Sequence, residues 1–90
     1  MSGCSRTIEI VNRRGLHARA SAKFVMVAAT LPATVWVEKD GHKVTGTSIM
    51  GLMMLGAAMG DTITIHCDGD GCTESIDQLA ALVENRFGED

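Results

Sequence analysis

In the stretch NRRGLHARASAKF, Asn12 to Phe24, a histidine stands between a glycine-containing loop and an alanine-rich run, with an arginine two positions further on. Apolar spacing downstream starts a helix just after His17. The backbone amides of Ala18, Arg19 and Ala20 then lack intrahelical acceptors and face the imidazole. Such an end is a local anion site, and its partial positive charge favours a neutral, nucleophilic ring near neutral pH. A phosphoryl group carried on the ring would be held by the same amides, with Arg19 adding a charge-assisted contact. Gly15 permits the sharp turn into this position. Spacing alone leaves a second reading open, in which His17 only caps the helix beside a solvated arginine.

A second segment, TSIMGLMMLGA from Thr47 to Ala57, carries no acid, base or nucleophile beyond its hydroxyls. Thr47 and Ser48 are capping residues for a short helix from Ser48 to Leu55, which Gly56 closes. Leu52 and Leu55 are its better core candidates. Ile49, Met50 and Met53 are left as a flexible apolar patch that several partners could share, extended by exposed Ala22 and Met26 on the first helix. The competing reading places all of these residues in the core. His66, Cys67 and Cys72 could in principle converge on a metal, but structural zinc wants four ligands with paired short spacings, so no metal or other cofactor is expected. The simpler reading is a strand-end and a helix-start cysteine that pack. His42 and His66 have no setting like that of His17 and read as surface or edge residues. The glycine-rich DGDG, residues 68–71, lacks the lysine of a phosphate loop and the closing glutamate of a calcium loop, and is a turn.

These residues must be positioned by short elements. RTIEIVN alternates, with Ile8 and Ile10 on one face, as a first strand. Ala20, Phe24, Val27, Ala28 and Leu31 follow helical spacing from Ala18 to Leu31, and Pro32 ends the run. TVWVEKDGHKVT gives two strands around Asp40-Gly41, a dipeptide suited to a tight two-residue turn because both positions need positive φ. That pairing sets Val37 opposite Val44 inside, Glu38 opposite Lys43 outside, and Trp36 across from Thr45 on the sheet's other face. DTITIHC is a further strand with Ile63 and Ile65 inward. Ile76, Leu79, Ala80, Val83 and Phe87 mark an amphipathic last helix. The order is βαββαβα, an α+β two-layer open-faced sandwich with helices on one face of a sheet.

Composition narrows the classes further. Ninety residues make one compact domain spanning 1–90, with a modest core and no room for a deep enclosed site. A formal charge of −3 and only three aromatic residues, Trp36, Phe24 and Phe87, argue against a nucleic-acid partner. No apolar run has membrane length and no charged-then-apolar leader is seen, so the expectation is a cytoplasmic chain that neither spans a membrane nor is exported. Three cysteines without CxxC spacing point to reduced thiols rather than a disulfide framework.

GLHARAS together with TSIMGLMMLGA, about thirty residues later, resembles the HPr family of the bacterial phosphoenolpyruvate-dependent phosphotransferase system. The resemblance covers nearly the whole chain, and the paired motifs are highly specific. It implies a four-stranded antiparallel sheet with three helices on one face, His17 as phosphoryl acceptor through Nδ1, and Arg19 as the active-site arginine. Ser48 is implied to be the regulatory serine modified by a dedicated kinase/phosphorylase in some bacterial lineages. The short helix is implied to lie beside the histidine and to dock donor and acceptor proteins. Ala20 departs from the proline that many members carry after the arginine; it keeps a backbone N–H in the first turn and gives up some rigidity. The alanine form resembles branches tied to nitrogen-related phosphorelays as well as some sugar-uptake ones.

The expected function is therefore that of a phosphoryl carrier without free-standing catalysis. It relays phosphate from an upstream phosphoenolpyruvate-charged kinase of the Enzyme I type to downstream IIA-type acceptors, in sugar uptake or in nitrogen and carbon regulation. The chain is expected to be a monomer. The reading from another class is a regulatory interaction module whose binding to targets is switched by phosphorylation at His17 or Ser48. A weaker third is a small metal-handling domain of the same strand order.

Overall fold

A computed structural model describes residues 3–89. The first strand, β1 (Gly3–Glu9), is followed by helix α1 (Ala18–Ala29), strands β2 (Thr34–Lys39) and β3 (His42–Thr45), helix α2 (Ile49–Met54), strand β4 (Thr62–Asp68), helix α3 (Cys72–Glu84) and a final 3-10 turn, Arg86–Gly88. The four strands form one sheet in the order β1-β4-β2-β3, antiparallel at every junction. Three helices cover one face, as expected of an open-faced α+β sandwich.

The β2–β3 hairpin forms in the predicted register: Val37 opposes Val44, Glu38 opposes Lys43, and Trp36 opposes Thr45. Asp40 and Gly41 have φ of 51° and 83°, which the tight turn requires so that its twist matches that of the strands. Glu38 bonds across the sheet to His66, at 2.8 Å from Nε2 to Oε1, while Lys43 lies over the Trp36 ring, 5.6 Å from its centroid. His66 is therefore paired on the open sheet face rather than idle.

Alternation on the strands turns Ile8, Val35, Val37, Ile63 and Ile65 inward against Phe24, Leu52, Leu79 and Val83 from the three helices. Removing this apolar surface from water is the main favourable contribution to a core of this size. β1 begins earlier than its alternation suggested and stops at Glu9, but pairing continues past its end. Ile10 N–H donates to the Asp61 carbonyl and Gly60 N–H to the Ile10 carbonyl, both at 2.8 Å. α1 closes at Ala29 rather than reaching Leu31, with Thr30 as its cap two residues before Pro32.

The last helix requires a correction. Phe87 is buried, as its spacing suggested, but it is not on α3, which ends at Glu84. Arg86, Phe87 and Gly88 have φ of 57°, 55° and 77°, a left-handed run that reverses the chain. Each non-glycine residue in that region costs roughly 1–2 kcal/mol. Burial of the Phe87 ring and a 2.7 Å hydrogen bond from Lys23 Nζ to the Phe87 carbonyl hold it there. Among the described residues, no helix is long and apolar enough to cross a membrane.

Candidate functional site

The site is built on the loop between β1 and α1. Asn12, buried to 1% exposure, donates from Nδ2 to the Gly15 carbonyl at 2.9 Å and so folds the turn upon itself. Gly15 has φ of 64°, and a Cβ there would lie 2.3 Å from the Ala57 carbonyl oxygen. The turn can therefore press against the segment after α2, where Leu16 N–H donates to the same carbonyl at 2.9 Å. Ser21 Oγ, inside α1, donates back to the Leu16 carbonyl at 3.1 Å. His17 is thus delivered at the N-cap of α1 with extended backbone, φ −71° and ψ 178°.

Its ring is the cap. Arg19 N–H donates to His17 Nδ1 at 3.3 Å, while Nε2 meets the Glu89 carboxylate. The network assigns the neutral tautomer: Nδ1 accepts and carries the lone pair, and Nε2–H donates. The two roles that spacing left as alternatives, cap and potential nucleophile, are compatible in one side chain.

Of the three residues whose amides were expected to face an anion, Ala18 and Arg19 are exposed and Ala20 is fully buried. Nor is His17 freely accessible: its side chain is 16% exposed, because Glu89 covers one edge. Arg19 enters none of the ion pairs formed among the described residues.

Sequence reasoning missed Asn12 and Glu89. Asn12 Nδ2 also donates to Glu89 Oε1 at 3.0 Å, so one buried amide ties the turn to the tail. Hydrogen bonding from Asn12 holds the Glu89 carboxyl below the usual carboxylate range; desolvation opposes this, and the hydrogen bond from His17 and the charge of Arg14 reinforce it. Gly88 was the available signal, a left-handed residue just before an acidic one.

A carboxylate depressed in the folded state contributes stability that is present above its unfolded value, ordinarily 4.5, and is lost as pH falls through the lower folded value. Melting temperature followed from pH 6 down to about pH 3 is therefore expected to fall more steeply for the unaltered chain than for Glu89→Gln. Parallel curves would show that this pairing does not form in solution.

α2 begins as anticipated. Ser48 is its N-cap and Oγ accepts from Gly51 N–H at 2.9 Å. Leu52 and Leu55 point into the core, while Ile49, Met50 and Met53 are exposed at 40%, 69% and 41%. Met26 on α1 is equally open at 69%, and α1 packs against α2. Ala22 is only half-exposed, and Met54, which spacing did not assign to the patch, is exposed as well. His42 lies at the hairpin, and Cys67 and Cys72 are free thiols.

Comparison with known proteins supplies the remaining evidence. A family model described as "PTS HPr component phosphorylation site" matches residues 4–85. The phosphocarrier protein HPr of Cupriavidus necator is 46% identical over 84 residues, covering 93% of this chain and 94% of the relative. The phosphocarrier protein NPr of Shewanella violacea is 35% identical over 89 residues, covering 99% and 98%. Among solved structures, an HPr from Thermoanaerobacter tengcongensis superposes with a TM-score of 0.91 at 45% identity, covering 97% of this chain and 98% of that one.

Proposed function

The chain belongs to the HPr family of phosphotransferase-system phosphocarriers, and we propose on that premise that His17 Nδ1 is where it carries the phosphoryl group. The family works between Enzyme I and IIA-type proteins, and this chain is a phosphoryl carrier of that relay. The observation that carries the assignment is the capped ring: Nδ1 on the Arg19 amide at a helix N-terminus, Nε2 on Glu89.

Transfer then proceeds in one displacement. The Nδ1 lone pair attacks phosphorus on the charged donor, the N–P bond forms, and the bond to the donor's leaving atom breaks with its electron pair returning to the donor. Positive charge developing on the ring is stabilised by the Glu89 carboxylate at Nε2. The Arg19 N–H is released from Nδ1 and, with the Ala18 N–H, can take phosphoryl oxygens, while the Arg19 guanidinium adds a charge-assisted contact. Incubation with an Enzyme I type kinase and phosphoenolpyruvate should give an acid-labile adduct confined to His17. Phosphate located on another residue would overturn the assignment.

We assign the docking of both donor and acceptor to Met26, Ile49, Met50 and Met53, with half-exposed Ala22 at the margin. Ser48 is the regulatory position, since its hydroxyl caps α2 at the edge of that surface. The chain acts as a monomer in the cytoplasm, where its three free thiols stay reduced. Either the sugar-uptake or the nitrogen-regulatory branch would use the same site, as the HPr and NPr relatives both show high coverage.

A negative charge on this face tests the docking reading. Ser48→Asp keeps a capping oxygen, and Met50→Asp alters a side chain that is 69% exposed. Each should leave melting temperature nearly unchanged yet raise the apparent KM for phosphoryl transfer by roughly tenfold or more, because a carboxylate must be desolvated against an apolar partner surface. Collapse of stability in Met50→Asp, or unchanged kinetics in both, would contradict the assignment.

A further inference from the structure

Asn12 is 1% exposed, and the displacement at His17 makes no use of it. Both hydrogens of its Nδ2 are engaged, one on the Gly15 carbonyl at 2.9 Å and one on Glu89 Oε1 at 3.0 Å. The other carboxylate oxygen, Glu89 Oε2, meets His17 Nε2. The amide can stand only one way round, because turning it over would set Oδ1 against a carbonyl and a carboxylate. Oδ1 itself has no hydrogen-bond partner among the described residues. A buried acceptor left in that way costs free energy, so the side chain is held in place for its donor end. Taking His17 Nδ1 as the carrier atom, on which this inference rests, we propose that Asn12 is a positioning residue for release of the phosphoryl group: by fixing Glu89 on Nε2 it keeps the phosphorylated ring protonated there, the form from which the N–P bond breaks readily.

The free ring has a hydrogen on Nε2 and a lone pair on Nδ1. Forming the N–P bond uses that lone pair, so a ring that keeps Nε2–H becomes cationic. If this proton then left to solvent, the leaving group of the next transfer would be an imidazolate, which is far more basic than imidazole. If it stays, the acceptor's nucleophile attacks phosphorus, the N–P bond breaks and its electron pair returns to Nδ1. Neutral imidazole is released in its starting tautomer, and no proton has to cross between ring and acceptor. A carboxylate on Nε2 favours the protonated ring both by its charge and by accepting the hydrogen bond.

The surroundings offer no substitute for this contact. Among the described residues, Glu89 is the only carboxylate paired with the ring. The other charged groups near in the chain are cations, Arg13 and Arg14 in the loop and Arg19 and Lys23 on α1, and all of them disfavour a charged imidazole. The segment from Ile49 to Gly60, against which the loop is seated, carries no ionisable side chain. Asn12 and His17 are the two side-chain partners of the Glu89 carboxylate among the described residues. Without the amide, a carboxylate on the chain's tail is free to turn towards water. Through Gly15 the same amide is tied to the turn that delivers His17, so ring and carboxylate share one frame.

The test loads the full chain with an Enzyme I type kinase and phosphoenolpyruvate, removes both, and measures return of the phosphoryl group to fresh unphosphorylated kinase. It compares the unaltered chain with Asn12→Ala, Glu89→Gln and the double variant. Each should load at His17 with an unchanged KM for the kinase, since none alters the apolar docking patch. The shortfall in kcat for return, relative to the unaltered chain, should widen roughly tenfold from pH 6 to pH 9, because a charge-assisted hydrogen bond no longer holds the proton. Nitrogen-15 spectra of the loaded chains should show Nε2 losing its proton at lower pH in every variant. The double variant should be no worse than Glu89→Gln, as expected if Asn12 acts through that carboxylate. If Asn12→Ala does not fold, Asn12→Ser keeps a single donor and should show a smaller shortfall that widens in the same way. A shortfall equal at both pH values, or losses that add in the double variant, would make Asn12 a purely structural part of the loop and overturn the proposal while leaving His17 as the carrier. Phosphate found elsewhere on the unaltered chain would overturn the site and this inference together.

Discussion

Replacing His17 with alanine is expected to lower phosphoryl acceptance by more than about a thousandfold, the scale on which removal of a covalent nucleophile acts. The other two histidines cannot substitute. His66 is engaged with Glu38 on the open sheet face, and His42 sits at the first position of β3 beside the hairpin turn, away from any helix start. Loss of the cap and of the Glu89 contact should cost only about 1 kcal/mol, so the variant still folds and the comparison is fair. Mass spectrometry after incubation with the upstream kinase and phosphoenolpyruvate, with and without acid treatment, reads the result. An acid-labile phosphate appearing in His17→Ala at the normal rate would place the acceptor elsewhere.

The second large effect concerns a residue that does no chemistry. Gly15→Ala meets two penalties at once: a side chain at φ of 64°, and a Cβ placed 2.3 Å from the Ala57 carbonyl oxygen and 2.9 Å from the Ala58 Cα. The first costs roughly 1–2 kcal/mol and the second roughly 1–3 kcal/mol if the backbones separate. A domain of this size should then melt about 10 °C or more below the unaltered chain. The Leu16 N–H to Ala57 carbonyl bond, which seats the histidine loop, would be the first to lengthen, so phosphoryl acceptance should fall as well. Gly56→Ala is the internal control. It has the same φ of 64° but meets nothing within 4 Å, so it should show the conformational penalty without the clash. Equal melting temperatures for the two variants would mean that the close approach of the loops is not maintained in solution.

Local rules carried far in this chain because its elements are short and its signals unmixed. Asp40-Gly41 between two alternating runs determined a turn type, and turn type determines register, so Val37 met Val44 without any knowledge of the rest of the sheet. The split of α2 was legible for a similar reason. A helix has one face towards the sheet, and placing Leu52 and Leu55 there leaves Ile49, Met50 and Met53 outside. His17, with its glycine turn before it and an alanine-rich helix behind it, was legible as the residue at the start of α1.

Tertiary structure alone decided what stands on the other side of that ring. Glu89 is 72 positions from His17, and its approach depends on three successive left-handed residues that no helical periodicity encodes. The apolar spacing of α3 carried straight through to Phe87, because burial constrains only where a ring goes and not which backbone path takes it there. The chain instead breaks the helix at Glu84 and turns back, held by Phe87 in the core and by Lys23 on its carbonyl. The burial of Ala20 was hidden from the sequence on the same ground: being in the first helical turn frees its amide from intrahelical partners, but how deeply the residue is covered depends on what packs over it. The sequence by itself determined the position of His17 at the start of α1 and the strand register, both set by contacts a few residues apart; the tautomer of the ring and the shelter around it come from long-range packing.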